Sequence, residues 1–153
     1  MSELDAIESW AGHLLSTLEA PARRAVLRDI ARELRRSQQA RIARQTNPDG
    51  TPYKARKPRA KKQLRDKAGR IRRNAMFAKL RQARYLRTES DAVGLAIGFA
   101  GRIARLARVH QFGERVRAAP GGLEYKYPAR ALLGVSSEDL EMIRNRLIAH
   151  LAK

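Results

Sequence analysis

The sequence predicts an α+β fold in which a small antiparallel sheet packs with two N-terminal helices and a C-terminal helix. Apolar residues recur at helical spacing near both ends of the chain, and they alternate with a period of two between residues 92 and 99. With 153 residues, the chain is long enough to bury one modest core. We therefore predict a single domain over residues 1–153, with residues 47–74 as an exposed basic arm.

An apolar stripe predicts the first helix over residues 3–19. Its members, at spacings of one, three and four, are Leu4, Ile7, Ala11, Leu14, Leu15 and Leu18. Pro21 then suits the first turn of a second helix, where its missing N–H has no intrahelical partner to lose. This helix is predicted from about residue 22 to about residue 45. The run Asn-Pro-Asp-Gly-Thr-Pro at residues 47–52 ends it, because proline and Asp-Gly favour turns.

Most of the excess positive charge lies in one segment. The chain has 33 Lys and Arg against 15 Asp and Glu, a net charge of +18. Residues 54–87 contain fifteen of the bases and one acid, Asp66, whereas residues 1–20 contain four acids and no Lys or Arg. Such a basic segment favours a polyanion as its partner, because each neutralised phosphate releases counterions. The alternative is a solvated arm that keeps the protein soluble.

Residues 53–73 carry few large apolar side chains, so they bury too little surface to offset their ordering entropy. We predict an exposed arm whose basic side chains contact DNA or, as the alternative, an acidic surface of a neighbouring subunit. The candidates for this contact are Lys54, Arg56, Lys57, Arg59, Lys61, Lys62, Arg65, Lys67, Arg70, Arg72 and Arg73.

The middle of the chain predicts a short helix-like segment followed by a hairpin. Residues 75–80 place Met76, Phe77 and Leu80 at helical spacing. Residues 85–88 and 92–99 predict two strands, since large apolar residues alternate with Gly and Ala in the second of them. Residues 89–91, Glu-Ser-Asp, are predicted to form the turn between these strands.

The last third of the chain predicts two helices and one strand. Helical spacing returns over residues 102–112, and Gly113 is predicted to end that helix in the left-handed conformation. Residues 123–127 predict a strand after a Pro-Gly-Gly turn. Ser136 or Ser137 is predicted to cap the final helix, because acids follow in its first turn.

The sequence contains no recognisable catalytic or metal-binding motif. It has no cysteine, no nucleophile elbow, no phosphate-binding lysine loop and no paired-histidine motif. His13, His110 and His150 lie on three different predicted helices and are interpreted as helix-face residues. We therefore predict a protein that is not an enzyme and that uses neither a cofactor nor a metal.

The sequence also indicates a protein made and kept in the cytoplasm without a membrane contact. No apolar run approaches the roughly 18 residues that a membrane span needs. The first residues carry acids where a signal peptide needs a basic start.

Four segments, taken together in this order, resemble the virion-morphogenesis or tail-completion family of contractile-tailed temperate phages. They are RIARQTNPDGTPYKARK at residues 41–57, NAMFAKLRQARYLRTESDAVGLAIGF at 74–99, the segment IARLARVHQFG at 103–113 and YPARALLGVSSED at 127–139. The pair Ala-x-x-His-Gln-Phe-Gly and Pro-Ala-Arg-x-Leu-Leu-Gly also resembles a wider group of phage neck and tail-completion proteins. The chain departs from that group at Ala131, where proline is common, and loses some local rigidity there.

The resemblance implies a noncatalytic structural subunit that completes the tail at its head-proximal end and enables head–tail joining. It implies a homo-oligomeric ring, most commonly a hexamer, with tail-terminator, tail-tube and neck proteins as partners, in a virion tail or neck assembled in the host cytoplasm. A ring at that position surrounds the path of the genome, so the basic arm would line its lumen or touch DNA. A stand-alone nucleic-acid-binding protein that uses residues 54–73 is the alternative function.

The same resemblance directs attention to the end of the third helix and the segment that follows the strand at 123–127. We predict that these residues shape the surface between subunits of the ring. The predicted interface residues are His110, Gln111, Phe112, Gly113, Tyr127, Pro128, Ala129 and Arg130.

Overall fold

The structure, a computed structural model, describes residues 2–56, 75–117 and 119–153. Within these ranges it has four helices: α1 (Glu3–Ser16), α2 (Ala20–Ala43), α3 (Ile103–Phe112) and α4 (Ser137–Leu151). The strands are β1 (Leu86–Ser90), β2 (Leu95–Phe99), β3 (Arg115–Arg117) and β4 (Glu124–Lys126). The predicted α+β class is confirmed.

The helix boundaries follow the capping chemistry of the sequence. Ser2 caps α1 and Ser136 caps α4, each in a capping box whose second member is an aspartate, Asp5 or Asp139. The cap of α4 is therefore Ser136 and not Ser137. Pro21 lies in the first turn of α2, as predicted.

The strands form two antiparallel pairs, β1–β2 and β3–β4, rather than the one small sheet that was predicted. The hairpin turn also lies later than predicted. β1 runs on through Ser90, and the Asp91 carboxylate accepts the N–H groups of Val93 (2.7 Å) and Gly94 (2.9 Å). The structure has turns and no helix where residues 75–80 predicted a short helix, and Phe77 there has a positive φ of 64°.

The apolar core consists of two clusters that share α2. Val26, Ile30 and Leu34 of α2 pack with Leu147 of α4 in the first cluster, against which partly buried residues of α1 and β2 lie. The second cluster gathers residues that are distant in sequence around the C-terminal end of α2; its buried members are Ile42, Tyr53, Leu80, Ala107 and Leu132. A single long helix therefore supports both halves of the fold.

A buried ion pair lies where α2 meets the start of α4. The Arg41 guanidinium and the Asp139 carboxylate are 3.3 Å apart, and their side chains are only 4% and 3% exposed. Arg41 also donates to the Gly134 carbonyl at 2.9 Å and to the Gln38 side chain. Asp139 in turn accepts the N–H of Ser136 at 3.0 Å, so one carboxylate neutralises the buried cation and caps α4.

Replacing Asp139 by Ala should destabilise the fold by about 3–5 kcal/mol, because it leaves the buried Arg41 charge without its partner. The free energy of unfolding, measured by urea denaturation, checks this value. The matched control is Glu124→Ala, which breaks the exposed Arg117–Glu124 pair (3.6 Å) and should cost less than about 1 kcal/mol. Equal losses for the two variants would contradict the prediction.

Candidate functional site

The predicted interface residues come together where the end of α3 meets the segment 127–130; we call these two stretches the α3 corner. Gly113 ends α3 with φ 66°, in the left-handed region, and its N–H donates to the Val109 carbonyl. A Cβ at this position would lie 2.9 Å from the Ala129 nitrogen and 3.0 Å from the Tyr127 oxygen. Both the backbone conformation and the close approach therefore require glycine here.

Hydrogen bonds from α3 hold the returning segment against the helix end. The His110 carbonyl accepts the N–H of Arg130 at 2.7 Å. The Gln111 side-chain oxygen accepts the N–H groups of Leu132 (2.8 Å) and Leu133 (2.9 Å), and its nitrogen donates to the Leu133 carbonyl. Gln111 thus satisfies three backbone groups within the chain.

Arg130 connects the α3 corner to the beginning of the basic arm. Its side chain is buried, at 4% exposure, and donates to the carbonyls of Lys54 (2.7 Å) and Ala55 (3.1 Å). Tyr53, also buried, donates its hydroxyl to the Ala131 carbonyl at 3.2 Å. The α3 corner and the start of the basic arm, which are far apart in the sequence, are therefore connected by hydrogen bonds at residues 53–55.

A row of rings crosses the same region. Successive ring centroids lie 5.8, 4.8, 5.1 and 4.7 Å apart, and every contact is edge-to-face. In order, the rings are Tyr53, Phe77, His110, Tyr127 and Tyr125. The sequence showed no aromatic cluster here, because its members come from four separate segments.

His110 lies at the centre of this row in a partly buried and positively charged environment. Burial lowers the pKa of its imidazole below the ordinary value, and the nearby Arg130 and Arg56 guanidinium groups lower that pKa further. Its Nδ1 atom is buried without a hydrogen-bond partner in the part of the chain that the structure describes. The neutral imidazole is therefore the form that fits this site.

The structure places only part of the predicted site. Lys54 and Arg56 are exposed at the start of the arm, while the other nine predicted basic contacts, Lys57 to Arg73, lie outside the described residues. In the α3 corner, Phe112 is 68% exposed and Ala129 is exposed, whereas the other six residues are half-buried or buried. Their role between subunits stays a prediction.

Within the described ranges, no group of three or more His, Asp or Glu side chains is placed to hold a metal ion. In the same ranges, none of the helices is both long enough and apolar enough to span a bilayer.

Comparison with known proteins assigns the family. Residues 2–152 match the phage virion morphogenesis family. The chain belongs to that family. It is 38% identical over 154 residues to tail completion protein S of Escherichia phage P2, and the alignment covers 100% of each chain. No solved structure was found to match. The family resemblance predicted from four segments is thus confirmed, and the membership covers the α3 corner as well as the arm.

Replacing Arg130 by Gln should loosen the start of the arm, because two charge-assisted hydrogen bonds to residues 54 and 55 are lost. We expect the amide of Tyr53, which donates to the Gln45 carbonyl at 2.7 Å, to exchange at least about tenfold faster, while exchange in α2 and α4 stays unchanged. Arg115→Gln, at an exposed position, is the matched control and should leave the exchange of the Tyr53 amide unaltered. Unchanged exchange in the Arg130 variant would show that these bonds do not hold the arm.

The lowered pKa of His110 predicts a loss of stability in mild acid. The unfolded chain binds a proton at His110 more readily than the folded chain does. The stability that the neutral His110 side chain contributes is therefore complete above the ordinary pKa of about 6.5 and is lost as the pH falls below that value. The free energy of unfolding should therefore decrease from pH 7.5 to pH 5.5 by more in the wild type than in His110→Gln. The comparison uses the change in the free energy of unfolding between the two pH values, because the pH-independent cost of removing the imidazole then cancels. Identical pH dependence in the two proteins would contradict the prediction.

Proposed function

We propose that this chain is a tail-completion protein, a noncatalytic subunit that finishes a phage tail at its head-proximal end and enables the tail to join the head. The observation that carries the proposal is the 38% identity, over the full length of both chains, to a protein named for tail completion. Membership of the phage virion morphogenesis family across residues 2–152 agrees with it. The proposed location is the tail or neck of the virion, after assembly in the host cytoplasm.

The proposal includes assembly as a homo-oligomeric ring, with a hexamer as the expected form. Tail-terminator, tail-tube and neck proteins would be the neighbours of such a ring. The exposed Phe112 supports the α3 corner as part of a subunit interface, because an isolated, largely exposed phenylalanine gains most from being covered. Arg130 and Gln111 would act there indirectly, since both are already used to hold the corner together.

The basic arm would face the lumen of the ring and contact the genome. Lys54 and Arg56 are exposed where the arm begins, and Arg130 holds the backbone beside them. The alternative partner is an acidic surface on a neighbouring subunit.

Particles made without this chain should have tails that fail to join heads. Electron microscopy of lysates from a phage with the coding sequence disrupted checks this directly. We expect separate filled heads and free tails, and infectivity should return when the intact chain is supplied in trans. Normal, infectious particles in its absence would overturn the proposal.

The same experiment decides between this role and a stand-alone nucleic-acid-binding protein. The observation that favours the second role is the density of basic residues between 54 and 73. A stand-alone binder would leave head–tail joining intact when it is absent, whereas a tail-completion protein would not.

A further inference from the structure

One helix has the opposite charge to the rest of the chain. Residues 1–20 contain Glu3, Asp5, Glu8 and Glu19 and no Lys or Arg, although the protein as a whole carries +18. Glu3 and Glu8 of α1 are exposed, and within the described ranges neither takes part in an ion pair. Beside them, Leu4 is 48% exposed and Trp10 is 37% exposed. Helix α1 therefore presents an acidic surface that includes uncovered apolar side chains.

Helix α3 presents a surface of the complementary kind. It contains no acid, and Arg102 at its N-cap, Arg105 and Arg108 are all exposed. Arg108 pairs with Glu114, whereas Arg102 and Arg105 have no ion-pair partner among the residues that the structure describes. Two apolar side chains of the same helix are also exposed; they are Leu106 (47%) and Phe112 (68%).

An apolar cavity of about 390 Å³ adjoins this surface. Phe112 and Arg108 are among its lining residues, and the rest of the lining is largely apolar, with Phe99, Ala104, Ala107 and Leu133. An aromatic side chain buries 150–250 Å² when it is covered, so a cavity of this kind suits an inserted ring such as that of a tryptophan.

The two surfaces belong to different parts of the subunit. Helix α1 packs on α4 at the first core cluster, whereas α3 packs on β2 at the second. The contacts of the described residues do not bring α1 onto α3 within one chain. A second copy of the chain, which offers an acidic α1, fits the α3 surface in both charge and apolar character.

We propose that α1 of one subunit docks on the α3 surface of the next, with Glu3 and Glu8 near Arg102 and Arg105 and with Leu4 and Trp10 covering Leu106, Phe112 and the adjoining cavity. Because the two patches differ, this contact is head-to-tail, the kind of contact that closes into a ring when the rotation between subunits permits. The inference rests on the proposed ring and names the surfaces that would form it.

Charge reversal tests the pairing. Glu3→Lys with Glu8→Lys gives an acid-reversed chain, and Arg102→Glu with Arg105→Glu gives a base-reversed chain. Each should associate at least about a hundredfold more weakly than the wild type, because like charges then face each other. The chain that carries all four substitutions should recover the wild-type oligomer, since the complementary charges are restored in exchanged positions. Sedimentation velocity over a concentration series measures the association.

Matched controls separate the pairing from the change in net charge. Arg28→Glu with Arg32→Glu, at exposed positions of α2, changes the net charge by the same amount as the base-reversed chain. Glu89→Lys with Glu141→Lys, also at exposed positions, changes it by the same amount as the acid-reversed chain. Both control chains should assemble as the wild type does. Circular dichroism and urea denaturation confirm that each variant is folded, and Asp5 is left intact because it belongs to the α1 capping box.

Each outcome decides something specific. Recovery by the four-substitution chain, after loss in both two-substitution chains, supports the α1–α3 contact. If the base-reversed chain still forms the wild-type oligomer, the α1–α3 contact is wrong, but the proposed ring is not contradicted. A wild-type chain that stays monomeric overturns the ring and this inference together, while head–tail joining in particles still tests the proposed function by itself. Loss of assembly in the α2 control, with assembly kept in the α3 variant, would place the interface on α2 instead.

Discussion

The buried pair of Arg41 and Asp139 is the interaction on which the rest of the fold depends. An arginine this deeply buried needs a neutralising partner, and Asp139 supplies it from the first turn of α4. The same guanidinium reaches the Gly134 carbonyl, so the segment that leads into α4 is fixed against α2. Because α2 also supports both apolar clusters, this one contact sets how the C-terminal half of the chain lies on the N-terminal half.

The α3 corner follows from that arrangement. Once the segment before α4 is fixed, Arg130 points at the backbone of residues 54 and 55, and Gln111 meets the amides of Leu132 and Leu133. These hydrogen bonds pair backbone carbonyl and amide groups that would otherwise have to bind water. They connect the groups into one network. The α3 corner therefore has a structural role within the chain, because it holds the start of the most basic segment.

Charge is distributed in a way that suits assembly. A chain with a net charge of +18 repels its own copies, and association requires that complementary patches outweigh this repulsion. Helix α1 is acidic, and the strongest concentration of bases lies in residues 54–87. The acidic and the strongly basic parts of the chain are therefore separate in the sequence.

Local patterns in the sequence predicted all four helices, a cap for the last helix at Ser136 or Ser137, the left-handed stop at Gly113 and the family. Each of these depends on residues within a few positions of one another, where spacing and capping chemistry are specific. Only the tertiary structure decided that β3 pairs with β4, that residues 75–80 form turns, and that Arg130 binds carbonyls about 76 positions away. Backbone carbonyls are the same at every residue, so no side-chain pattern marks which of them a buried arginine will reach. The packing of the chain around α2 determines which carbonyls lie within reach of Arg130.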